Sequence, residues 1–195
     1  TPAPRALPGN LHWFETVILL LLVSVAIRSL VGLSLVLPWK STPALLVALT
    51  CAVVLGKAMG GILGDRWGWT KVAVFGLTVS APLLTFFPHI PALAIVGTFL
   101  FNLSMPITLI CVAEMLPGKS GFAFGLTTLA LIVGAWPTFT PLRGTMSHPT
   151  VIFAAILVSI AALYGGLRLY AGHFSNRIPL QHDQIRLKEK NRVSS

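Results

Sequence analysis

Two cations stand where an apolar chain has least room for charge. Arg28 lies inside VILLLLVSVAIRSLVGLSLVL and Lys57 inside LVALTCAVVLGKAMGGILG. At the centre of a membrane span an arginine costs roughly 2.5–3.5 kcal/mol on insertion scales, so something must compensate it. Ser24, Arg28 and Gly32 are spaced by four and form one small, polar helix face. Lys57 precedes Asp65 by eight residues, which is about 12 Å along a helix and too far for easy snorkelling to the surface. Each cation has two readings. Facing a cavity, it would bind an anionic group; neutralised by a carboxylate, by helix carbonyls or by an acid of a missing partner, it would be structural. The chain has five acids, and none falls deep in an apolar run. Two unpaired cations in one cavity would favour an anionic substrate. A third polar point is FNLSMPITLI, where Asn102 and Met105 lie one turn apart and Pro106 opens the backbone. Asn102 suits either a pathway lining or a hydrogen bond between helices.

The stretch GGILGDRWGWTK places an Asp-Arg pair at the end of a greasy run. Gly56, Gly60 and Gly64 repeat every four residues and leave one helix face bare for another backbone to approach. Asp65 and Arg66 then mark the water boundary. An acid here can accept hydrogen bonds from another helix's N-terminal amides or from an arginine, a latch that holds when two bundles close. The simpler reading is a polar turn flanked by interfacial tryptophans.

These residues need elements to hold them, and composition says which. Of all residues 55% are hydrophobic and 10% charged, outside the range of an ordinary soluble domain. About 20 apolar residues cross the hydrocarbon as a helix. Six such windows fall near 14–38, 43–64, 71–87, 91–112, 121–141 and 150–171, with kinks expected at Pro82 and Pro106. The first is too long for a secretory signal, contains Arg28 and lacks a small-residue cleavage site. The segment TPAPRALPGN reads as a solvated linker, and its start on Thr1 rather than Met points to a longer polypeptide. The organisation is therefore a linker or cytoplasmic segment at 1–12, a six-helix transmembrane domain at 13–172 and a basic tail at 173–195.

An even number of spans puts both termini on one side. Apart from the two cations within spans, only Lys40 and Arg143 fall on the far side; Arg66, Lys71, Lys119, Arg168 and the basic tail fall with the termini. The positive-inside bias makes that side cytoplasmic. A net charge of +9 invites comparison with nucleic-acid binders, but the charges sit at membrane borders without aromatic interleaving, so anionic lipid headgroups are the expected neighbours and nucleic acid is not. Cys51 and Cys111 belong to different depths, which argues against a disulfide. Enzyme signatures are poor: GKS at Gly118–Ser120 has Ala113 where a phosphate loop needs its first glycine, and HExxH, GxSxG and Cys/His metal spacing are all missing from the sequence. No enzyme, metal or cofactor is expected.

The run Gly61, three residues, Asp65, Arg66, one residue, Gly68, then Lys71 resembles the loop signature of the major facilitator superfamily, found between the second and third helices of each six-helix half. Trp69 and Thr70 replace the basic residues common there, and LPGKSGFAFGLTTLALIVGA is similar to the loop and helix near the end of such transporters; both features fit the C-terminal half. The resemblance covers nearly the whole chain. It implies an all-α membrane fold of two inverted three-helix repeats, with substrate near the midplane between halves. On that basis the expected function is a secondary active transporter, an antiporter or symporter in the cell inner (plasma) membrane. It would move a small solute, with an organic anion foremost, by alternating access. Substrate contacts fall to Arg28, Ser24, Lys57, Asn102 and Met105, and the conformational motif to Gly61, Asp65, Arg66, Gly68 and Lys71. The partner is a second six-helix half, in the same polypeptide, a separate subunit or a homodimer. The alternative is a six-span scaffold or assembly subunit without transport.

Overall fold

The computed structural model describes residues 11–175, in which every regular element is helical. The linker 1–12 and the tail 173–195 lie outside that range except for their innermost residues. Six helices are long and apolar enough to span a membrane: His12–Ser34, Pro43–Trp67, Trp69–Phe86, Pro91–Met115, Ser120–Phe139 and Pro149–Ala171. The chain is thus an integral membrane protein of all-α class.

Prolines and two glycines punctuate these spans. Helix α1 (Leu11–Ser34) stops a turn earlier than its apolar run suggests, because Pro38 has no N–H for the Ser34 carbonyl and disfavours helical backbone at Leu37. Helix α2 (Pro43–Trp67) opens on a proline, whose missing N–H would have had no helical partner there. It ends at Gly68, whose φ of +96° suits glycine alone and whose N–H closes on the Gly64 carbonyl at 2.9 Å. Helix α3 (Trp69–Phe86) starts at the very next residue, and it runs through Pro82 uninterrupted. The fourth span divides instead into α4 (Pro91–Asn102) and α5 (Ser104–Met115). Pro106 offers no N–H to the Asn102 carbonyl, and the chain tightens locally, Leu103 N–H bonding Leu100 O at 3.2 Å. Gly118, at φ +79°, turns the chain into α6 (Ser120–Ala135). A 3-10 turn at Trp136–Phe139 follows, then the short α7 (Arg143–Met146) and α8 (Pro149–Ser175).

Packing depends on bare backbone. A Cβ on Gly56 or Gly60 of α2 would overlap the Phe99 or Leu103 carbonyl, and one on Gly134 of α6 would overlap the Ala26 carbonyl of α1. Between α1 and α8 the tie is polar: Ser24 Oγ and Ser159 Oγ are 2.9 Å apart, both buried. Leu21, Leu77, Ile107, Ile156 and Leu163 fill the space between. Leu19, Val47, Ile62, Phe75 and Leu129 point outward, as a lipid-facing surface permits.

Candidate functional site

Five spans line a cavity of about 570 Å³ that is partly open. Helical spacing delivers its walls. Leu49, Val53 and Lys57 line up at i, i+4, i+8 along α2, one position round from the buried Gly56 and Gly60 that fix α2 against α4 and α5. The fourth span supplies Asn102 and Met105 on either side of its break, and α1 and α6 supply Gly32 and Thr128. The charged lining is entirely basic: Arg28, Lys40 and Lys57. By helical rise Lys57 lies about 21 Å from the Pro43 end of α2 and about 15 Å from its Trp67 end, close to mid-depth.

The two deep cations differ in state. Arg28 is 1% exposed. Its Nε–H reaches back to the Ser24 carbonyl at 3.3 Å, Nη1–H donates to Ser104 Oγ at 2.5 Å and Nη2–H to Thr108 Oγ1 at 2.7 Å. Those hydroxyls in turn donate to the Phe101 carbonyl at 3.0 Å and the Ser104 carbonyl at 2.9 Å. The charge is therefore spread through two polarised hydroxyls onto the carbonyls of the broken fourth span, with no carboxylate among the described residues in contact. Lys57 is exposed on the cavity wall and carries neither hydrogen bond nor ion pair within the described residues.

Of the five residues expected to contact substrate, Arg28, Lys57, Asn102 and Met105 share this cavity. Ser24 does not line it; it faces the other way, onto Ser159. Asn102 is buried and donates from Nδ2 to the Thr98 carbonyl at 2.8 Å.

The motif residues gather at the end of the bundle where α2 hands over to α3, beside the Tyr170 end of α8. Asp65, Arg66, Gly68 and Lys71 are exposed there, and Gly61 has open space where a side chain would stand. Asp65 Oδ1 accepts the indole N–H of Trp69 at 3.0 Å across the one-residue turn. Trp69 also stacks on Tyr170, centroids 6.4 Å apart and planes 21° from parallel, and the Tyr170 hydroxyl donates to Glu114. One string of contacts thus joins α2, α3, α8 and α5. Glu114, Tyr170, Ser104 and Thr108 were not singled out by sequence. The only hint was Ser104 and Thr108 at i, i+4 inside a segment already marked by Asn102 and Met105.

Among the described residues no three His, Cys, Asp or Glu side chains are placed to hold a metal. Cys51 is exposed and Cys111 buried, each with a free thiol. No family model, curated protein or solved structure gives a significant match to the chain.

Proposed function

We propose that this chain is one six-helix half of a major-facilitator-type secondary transporter, moving a small organic anion by alternating access across the cell inner membrane with both termini cytoplasmic. The observation that carries the reading is the mid-depth cavity whose charged lining is wholly basic. A helix bundle serving only as a scaffold has no use for an exposed, unpaired lysine at that depth, where an ionised group is costly unless it faces water, a ligand or a partner.

Two features support the inverted-repeat architecture. Exchanging the first three spans with the last three carries α1 against α6 into the fourth span against α2, and α1 against α8 into the fourth span against α3; all four packings are present. The close glycine contacts follow the same exchange, Gly134 on the backbone of α1 matching Gly60 on the backbone of the fourth span. Three packings, α2 on α3, α5 on α6 and α5 on α8, lack their counterparts. The partner is a second six-helix half, in the same polypeptide or as another subunit, and Asp65 on the Gly68 turn is the residue that would latch to it.

The test is anion uptake by the complete polypeptide reconstituted in proteoliposomes. Saturable, counterflow-competent uptake that is lost in Arg28→Ala at unchanged fold, and poorly restored in Arg28→Lys, supports the transporter, since a lysine cannot reproduce the guanidinium fork. An intact protein with no flux of any organic anion returns the scaffold reading.

A further inference from the structure

We infer that the cavity takes an amphipathic organic anion, a single acidic head on an apolar body, and that its head rests on Lys57 while Arg28 is a positioning residue. This deepens the proposed function and rests on its placing of the substrate in the cavity, though not on transport itself.

The inference starts from which hydrogen-bond donors the walls still have to give. Ser29 Oγ–H is committed to the Leu131 carbonyl at 2.7 Å, Thr98 to Ala94 at 2.8 Å and Thr128 to Phe124 at 2.9 Å. Asn102 has one amide hydrogen on Thr98. Each neutral hydroxyl on the wall has thus spent its hydrogen on a helix carbonyl, the usual habit of Ser and Thr in helices. A sugar or polyol needs a ring of free donors and acceptors, and this wall does not offer one. A cationic or zwitterionic solute needs an acid, and the lining has none. What remains is a mostly aliphatic surface with Phe101 and Met105 near the break, plus cationic donors. Apolar walls with a few placed charged groups bind ligands whose body is greasy and whose head is ionised.

The same accounting separates the two cations within the spans; Lys40, the third basic lining residue, stands on the turn after Pro38. Arg28 spends three N–H groups on Ser24, Ser104 and Thr108 and is sealed from solvent. Its work is to hold α5 against α1 just beyond the Leu103 break, which fixes where Asn102 and Met105 point. Lys57 keeps all three ammonium hydrogens among the described residues and stands exposed on the wall, so an anion can meet it without displacing any protein contact.

The experiment is equilibrium binding of radiolabelled 4-phenylbutyrate to the purified complete protein in phosphatidylcholine nanodiscs. Saturable binding, with 4-phenylbutanamide and 4-phenylbutylamine competing at least tenfold more weakly, is the expected result. Lys57→Gln should weaken binding at least tenfold at unchanged melting temperature, and Lys57→Arg should restore most of it. Equal competition by the amide or the amine overturns the inference, as does unaltered binding in Lys57→Gln. The same head-and-tail chemistry describes an anionic lipid, so binding is repeated in phosphatidylglycerol nanodiscs: retention supports a free solute, and loss there alone assigns the cavity to lipid and overturns the inference. Binding without flux would defeat only the transporter reading, whereas organic-anion flux left unaltered by Lys57→Gln would defeat only this one.

Discussion

The guanidinium of Arg28 and the hydroxyl of Thr108 meet at 2.7 Å across 80 residues of sequence. With Ser104 they form a closed polar knot inside apolar packing, and breaking it from the two sides should have unequal effects. Replacing Ser104 by Ala and Thr108 by Val leaves a buried guanidinium without its acceptors, a loss of about 3–5 kcal/mol by comparison with other broken buried charge contacts. Adding Arg28→Met to that double variant removes the orphaned charge and should recover much of the stability. Thermal unfolding in one detergent, compared across the three variants, checks this; a triple variant no more stable than the double contradicts it.

Glycine contacts give a sharper steric prediction. Gly134→Val must push α6 off the Ala26 carbonyl, at a cost of about 1–3 kcal/mol or more, because a backbone cannot rotate aside as a side chain does. Gly125→Val on the same helix meets open space. Melting temperatures of the pair should therefore diverge, with Gly125→Val near wild type.

Sidedness is open to direct chemical test. With Cys51 and Cys111 replaced by Ser and Ala, single cysteines at Lys71 and Lys119 should react with an impermeant maleimide from one side. Cysteines at Lys40 and Arg143 should react from the other, since loops alternate across six spans. The proposed orientation further requires that the first pair be labelled only after the membrane is opened. Labelling of all four from one side would break the six-span topology.

Asp65 allows charge to be separated from hydrogen bonding. Asp65→Asn keeps an oxygen for the Trp69 indole yet removes the carboxylate. The turn and the Trp69–Tyr170 stack should therefore survive, with indole fluorescence little changed, while distances between spin labels on the two halves shift. Distances unchanged from wild type in Asp65→Asn would confine Asp65 to the local turn.

The six spans could be read from the chain because about 20 apolar residues recur between polar breaks, and lipid imposes helix on any such run. Helix ends were less legible: nothing in the apolar run of α1 marks Ser34 as its end, and only the Pro38 effect on its predecessors explains it. Pro82 and Pro106 look alike in sequence but not in outcome, since one is absorbed within α3 and the other divides the fourth span. Arg28 and Lys57 stood out through their charge. Their difference in state did not, because it depends on which neighbour brings hydroxyls, and Ser and Thr are too common in spans to announce that role. The Tyr170–Glu114 contact links residues 56 positions apart, and no local pattern encodes such a meeting.

At Gly134 on Ala26 and at Gly60 on Leu103, main chain meets main chain with no side chain between. Ordinary helix pairs slide by exchanging rotamers, a little at a time. Here that lubricant is missing. The walls of the cavity where α6 meets α1 and where α2 meets the fourth span are held at those points, so widening or narrowing them there would separate main chain from main chain. On the proposed transporter reading, a bundle built this way would turn as a block, and a large change in access to Lys57 would come from its tilt against the second half.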